Sequence, residues 1–227
     1  MADLIITIDG PAASGKSTVA RLLAQKLGAD FLDTGAMYRA VTFAAMQAGV
    51  DLSDEKKLLD CLGAHRFQFS PRAGKMAVSV DGADVTEQIR SPEVTANARF
   101  IASAPRVRER LVRMQRQFAA GCKKVVTEGR DQGTVAFADA DVKFYLTADP
   151  AERARRRQAE LQARGGGESL ERVQEAIEQR DDSDRSRAAG PLKQAEDAIV
   201  VDTTNLSIDQ VVEKLLTFVK ERCSKND

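Results

Sequence analysis

Apolar residues recur along this chain with two different spacings, and the spacing changes from segment to segment. Leu4-Ile5-Ile6-Thr7-Ile8 is a β-branched run suited to a buried parallel strand. Over residues 17–27, Val19, Leu22, Leu23 and Leu27 recur at helical spacing, and Gly28 supplies a stop. Phe31-Leu32 reads as a second strand ending at Asp33-Thr34-Gly35; helices follow over 37–47 and 54–62. Then the pattern alternates. Residues 66–69 and 76–80 switch between apolar and polar positions around a turn at 71–74, and Asp81-Gly82 marks a further turn. That is a hairpin with one exposed face. Helices resume over about 92–119, strands over 124–127 and 142–146, and Pro150 opens a long charged helix. Gly165-Gly166-Gly167 interrupts it before a second charged helix running to about Arg180. A strand at 199–201 and an amphipathic helix capped by Ser207 complete the series. Strands alternating with helices predict an α/β fold with a central parallel sheet flanked by helices in three layers. The hairpin adds a small antiparallel β insertion, and the two charged helices form a helical lid.

The chain is 227 residues long, 43% hydrophobic and 30% charged, which permits one substantial folded domain. Its 34 basic residues balance its 34 acidic ones, so no overall basic excess points to nucleic acid. Cys61, Cys122 and Cys223 are scattered and His65 is the single histidine. A disulfide scaffold, an ordinary zinc site and a histidine-dependent hydrolase are all disfavoured. His65 reads as an exposed or satisfied histidine beside a strand. The start has no basic, long apolar leader, and no apolar run reaches the roughly 18 residues of a membrane span. A soluble, cytoplasmic protein is expected, without a membrane or nucleic-acid partner; with no heptad seam, a monomer.

Chemistry enters at Gly10-Pro11-Ala12-Ala13-Ser14-Gly15-Lys16-Ser17, a G-x-x-x-x-G-K-S run between a strand and a helix. Glycines let backbone N–H groups wrap a phosphate, and the helix N-terminus adds partial positive charge. Lys16 reaches β- and γ-phosphates, and the Ser17 hydroxyl can ligate Mg²⁺. The motif alone leaves motors, GTP switches, ligases and small-molecule kinases open. No N-K-x-D guanine-reading motif is present. A second site is expected at the strand ends carrying Tyr38, Arg39 and Arg130. Arginines concentrate again at Arg153, Arg155, Arg156 and Arg157 and at Arg180, Arg185 and Arg187. Interleaved glutamates read most of the first group as a solvated helix face, while a glycine-hinged pair of arginine-bearing helices suits a lid for phosphoryl transfer.

Five motifs carry a resemblance over essentially the whole chain. They are Asp9-Gly10-Pro11 to Thr18, Asp33-Thr34-Gly35-Ala36-Met37-Tyr38-Arg39, Glu128-Gly129-Arg130-Asp131-Gln132-Gly133-Thr134, Arg180 to Arg187, and Asp202-Thr203-Thr204. Together they resemble the bacterial cytidylate kinases. The resemblance implies one kinase domain over 1–227, with an acceptor-binding insertion at about 62–95 and a lid at about 150–188. It implies ATP held by residues 10–18, Thr18 included, with Mg²⁺ as cofactor, and CMP or dCMP as acceptor. Thr34, Tyr38 and Arg39 would line the acceptor site. Arg39, Arg130 and Arg187 would hold its phosphate, Arg180 and Asp184 its sugar hydroxyls, and Arg108 and Asp131 the cytosine edge. Lys16, Arg130 and Arg187 would be the catalytic cations. Two positions depart from the family pattern: Arg99 stands where a small hydroxyl residue is expected, and Gln132 where an apolar one is usual.

Overall fold

The computed structural model describes residues 2–72, 75–163 and 165–223. Residues 73–74 of the expected hairpin turn and the Cys223 side chain lie outside the described residues. The chain has an α/β fold: a five-stranded sheet in the order β2-β6-β1-β7-β8 and a separate three-stranded sheet in the order β3-β4-β5. The strands are β1 (Leu4–Asp9), β2 (Asp30–Asp33), β3 (Phe67–Arg72), β4 (Lys75–Val80), β5 (Ala83–Asp84), β6 (Lys124–Gly129), β7 (Val142–Thr147) and β8 (Ile199–Asp202). The helices are α1 (Lys16–Leu27), α2 (Thr34–Gln47), α3 (Glu55–Ala64), α4 (Pro92–Ser103), α5 (Pro105–Ala120), α6 (Pro150–Gln162), α7 (Leu170–Ser186) and α8 (Ile208–Cys223). The chain divides into two compact units, one of Met1–Leu4 with Ala24–Thr127 and one of Ile5–Leu23 with Glu128–Asp227.

In the first unit, α2 packs against α3 and α4, and α3 against α5. The hairpin pairs β3 with β4 antiparallel, Phe67 opposite Val80 and Phe69 opposite Val78. Met76, Val78 and Val80 turn inward while Ala77 and Ser79 stay partly exposed, so the alternation in sequence becomes two faces of a sheet. His65 Nδ1 lies 2.6 Å from Asp81 Oδ2 at the foot of this hairpin, a satisfied histidine as expected. Cys61 and Cys122 are free thiols.

In the second unit, β1 pairs parallel with β7, and β7 with β8. Ile6, Ile8 and Phe144 are almost wholly buried. Each such side chain is worth roughly 1.5–3 kcal/mol of burial. Ser207 and Gln210 cap α8 reciprocally, the Ser207 hydroxyl accepting from the Gln210 N–H and the Gln210 amide oxygen from the Ser207 N–H.

Three boundaries differ from the sequence pattern. Helix α2 begins three residues early, at Thr34, because Asp33 accepts from Ala36 N and caps it. Pro105 divides the 92–119 segment into α4 and α5. Helix α7 does not end at Arg180 but runs to Ser186. Its last turns carry few apolar residues, and polar contacts described below replace a hydrophobic face there. A π-type turn at Gln132–Ala136 had no counterpart in the apolar pattern.

Gly10 has φ +148, and a Cβ built there would run into the Leu146 carbonyl. Gly10→Ala is therefore expected to cost about 3 kcal/mol through overpacking against rigid backbone, measured by denaturant titration. A loss below about 0.5 kcal/mol would contradict this packing.

Candidate active site

The segment between β1 and α1 is bent by three residues with positive φ: Gly10, Ala13 (φ 58) and Gly15 (φ 87). Left-handed backbone at a non-glycine such as Ala13 is strained, and successive N–H groups around such a residue form an anion-binding concavity. The N-terminus of α1 opens directly onto it. Ser14 is buried and its hydroxyl donates to Pro11 O (3.1 Å). Lys16 is buried too, its Nζ donating to Pro11 O (2.5 Å) and Ser14 Oγ (3.3 Å). Burial, then the Arg130 guanidinium, and further on Arg180, push the Lys16 ammonium down to about 7, against the pull of Glu128 and Asp9. Ser17 and Thr18 are exposed in the first turn of α1, and Ser17 Oγ donates to Glu128 Oε1 at 2.8 Å.

Strand β6 delivers Glu128 and then Arg130 and Asp131. Asp9, at the end of β1, accepts from Gln132 N (2.9 Å) and Gly133 N (2.7 Å) and so ties the turn after β6 to the strand before the phosphate loop. Burial raises the Asp9 carboxyl to about 6, even though those two N–H groups favour its ionised form. A side chain at Gly133 would crowd Thr7, Lys143 and Asp9, which explains glycine there. Arg130 Nε donates to Asp184 Oδ2 at 2.7 Å, and Arg187 pairs with Asp184 Oδ1 at 3.5 Å. Burial works against ionising Asp184, but Arg130 and Arg187 outweigh it and hold the carboxyl below its ordinary range. The second unit thus brings Lys16, Arg130, Arg180, Asp184 and Arg187 around one phosphate loop. Asp131 is buried beside them, and Gln132 fills its position with a buried side chain.

The first unit gathers a separate set. Asp33 Oδ1 caps α2, while Oδ2 accepts from Arg39 Nη2 and Arg90 Nη2, each at 3.3 Å. Nε of Arg39 is buried with no hydrogen-bond partner among the described residues. Thr34 is buried in the first turn of α2. The Arg108 guanidinium lies 5.5 Å from the Tyr38 ring centroid and donates to Ala102 O. Arg99 is exposed and stacks on its neighbour Phe100. Arg108 belongs to this unit and Asp131 to the other.

Arginines of α6 are less uniform than their spacing suggests. Arg155 and Arg156 both pair with Glu152, and Arg157 with Glu160, as a salted helix face would. Arg156 also donates to Thr203 O (2.7 Å) and Thr203 Oγ1 (3.0 Å). Arg153 departs from that reading: it is buried and pairs at 2.5 Å with the equally buried Asp181. The sequence alone did not name Arg90, and it gave no individual role to Asp9, Asp33, Arg153 or Asp181, which stood only within its motifs and arginine runs. A charged residue inside an apolar stripe is the one available signal, and it exists only for Asp181, between Val173, Ile177 and the end of α7. For the others the partner comes from a distant part of the chain.

The family model for cytidylate kinase matches residues 6–221. A cytidylate kinase from Rhodopirellula baltica is 48% identical over 218 residues, covering 96% of this chain and 93% of that protein. One from Anoxybacillus flavithermus is 46% identical over 217 residues, covering 96% of each. In three dimensions, an uncharacterized protein from Eubacterium ventriosum aligns with TM-score 0.50 at 10% identity, over 96% of this chain and 98% of its own; that likeness concerns the fold alone.

With burial and the neighbouring guanidiniums pushing the Lys16 ammonium down to about 7, a polyphosphate anion on the loop would restore its charge. At pH 8, ADP binding is expected to take up a substantial fraction of one proton, roughly half or more, since an adjacent anion raises an ammonium pKa by several units. Calorimetry in buffers of different ionisation enthalpy reads this directly. Lys16→Met should abolish the uptake; an equal uptake in that variant would assign the proton elsewhere.

Proposed function

The chain belongs to the cytidylate kinase family, and on that basis we propose that it transfers the terminal phosphoryl group of ATP to the phosphate of CMP or dCMP, giving ADP and CDP or dCDP. One observation carries the reading from the structure's side. Within a single compact unit, the phosphate-loop lysine lies close enough to Arg130 and Arg180 for their charges to depress its pKa. A loop that cradles the donor and arginines suited to the acceptor therefore act as one electrostatic site, which phosphoryl transfer needs because charge develops between two phosphates.

Roles follow from chemistry. Residues 10–18 hold the ATP phosphates, with Lys16 neutralising the transferring group. Arg130 and Arg187 bind the acceptor phosphate together with Arg39. Thr34 and Tyr38 line the acceptor side; Arg180 and Asp184 take the sugar hydroxyls; Arg108 and Asp131 take the cytosine edge, the carboxylate accepting from the exocyclic amine. Residues 62–95 serve as the acceptor-binding insertion and 150–188 as the lid. The attacking phosphate oxygen is ionised near neutrality, as its second pKa is about 6, so no strong general base is required. The residues fit Mg²⁺: Ser17 Oγ and the Glu128 carboxylate, 2.8 Å apart, are hard oxygen donors. Ser17 would hold the ion, which when bound neutralises charge on the β- and γ-phosphates. The enzyme acts as a cytoplasmic monomer on small-molecule substrates, without nucleic acid or membrane. Among the described residues no helix is long and apolar enough to cross a membrane.

A coupled assay for ADP release, with ATP and Mg²⁺ fixed and CMP, dCMP, UMP, AMP or GMP supplied in turn, tests this reading. Turnover with CMP and dCMP, at least about tenfold above UMP, is expected, because a site built for the exocyclic amine leaves buried polar groups unpaired against uracil. Equal UMP turnover would contradict the base-reading roles and direct attention to Arg99. No turnover with any of the five would contradict the function. Lys16→Ala should lower kcat by about 10³-fold with an unchanged far-UV spectrum.

A further inference from the structure

One residue of the phosphate loop, Ala12, is held through both of its backbone groups by the two charged helices α6 and α7. The N–H of Ala12 donates to Asp181 Oδ1 of α7 at 2.9 Å. The carbonyl of the same residue accepts from Arg153 Nη1 of α6 at 3.1 Å. The ring closes through the Arg153–Asp181 ion pair at 2.5 Å, and Arg153 Nε donates on to Ala148 O at 3.3 Å. Asp181 is 1% exposed and Arg153 4%, so solvent does not screen the contact. A small apolar cluster of Ala12, Ala154, Val173 and Ile177 seals it.

A buried ion pair adds little net stability over an apolar pair of the same volume, so its presence asks for another explanation. The neighbours of Asp181 supply one. Arg180 precedes it, Asp184 follows about one turn along, and Arg187 caps the end of the helix; these are the acceptor-side residues of the function proposed above, on which this inference rests. A rigid helix carrying both sets cannot shift its acceptor residues without moving the carboxylate that holds Ala12 N–H. We propose that Asp181 and Arg153 are positioning residues that couple the phosphate loop to α7, so that donor nucleotide on the loop fixes the placement of Arg180, Asp184 and Arg187. Neither touches the reacting atoms. Their effect is carried by one residue, Ala12, whose N–H and C=O are both engaged and which therefore fixes two successive peptides of the loop.

The test uses the whole chain with ADP alone, so it does not depend on the acceptor. Amide hydrogen exchange is followed across residues 170–186 with and without saturating ADP in three proteins: the wild type, Asp181→Asn, and the double variant Arg153→Met/Asp181→Leu. The double variant removes both charges and keeps an apolar core, so a folded protein remains for comparison if the single change unfolds. In the wild type, ADP is expected to slow exchange across α7 by about tenfold, a coupling of ordinary size. In the variants the loop still binds ADP, but the slowing across α7 falls below about twofold. With CMP as substrate, the same variants raise the KM for CMP about tenfold and leave kcat within about threefold. Undiminished slowing in a folded variant would overturn the coupling, since ADP would then be acting on α7 directly. A wild-type chain whose α7 responds to ADP but which does not phosphorylate CMP would overturn only the acceptor assignment.

Discussion

Cations held in place by carboxylates, largely out of solvent, are the feature on which the site depends. Lys16, Arg130, Arg153 and Arg187 are each partly or wholly buried, and Glu128, Asp181 and Asp184 stand against them. Arginine and lysine left buried without such partners would not stay charged at so small a cost. Once paired they are fixed, and a phosphate entering the loop meets donors already oriented. That preorganisation is the larger part of what a phosphoryl-transfer enzyme contributes, because the reaction asks mainly for alignment and charge neutralisation.

The same principle organises the first unit. Asp33 caps α2 with one oxygen and holds Arg39 and Arg90 with the other. A capping residue, fixed by backbone geometry, thereby sets the position of two guanidiniums. Carboxylates in this protein serve as scaffolds for cations, and the chemistry is left to the cations. Asp9 extends the pattern to backbone: its two N–H acceptances anchor the turn that follows Arg130 and Asp131.

Much of this was legible from residues alone where the signal was local. The strand–loop–helix around Gly10 to Ser17 announces a phosphate loop because glycine, lysine and the helix start must be contiguous to do that work. The hairpin was legible because alternation has one meaning on a half-exposed sheet. The end of α7 was not: Asp181 and Asp184 continue the helix through partners at Ala12, Arg130 and Arg153, residues from 28 to 169 positions away, which no periodicity encodes. That Arg153 is the buried member of its run was illegible for the same reason. Spacing against Glu152 and Glu160 suggested a solvated face, and three of its neighbours obey that, but burial is decided by what packs on top. The cytosine-reading roles came from family resemblance, since one arginine and one aspartate in different units carry no pattern of their own.

If a preformed cation cradle dominates recognition, the phosphates of the donor must supply most of its binding energy. Thermal unfolding with ADP and with adenosine at equal concentration measures this most directly. At about 100 times its Kd, ADP should add about 2.7 kcal/mol, raising Tm by roughly 5–10 °C for a chain of this size. Adenosine at that concentration should move Tm by no more than about 1 °C. Equal shifts for the two ligands would contradict the account, because base and ribose contacts would then hold the nucleotide without the cradle.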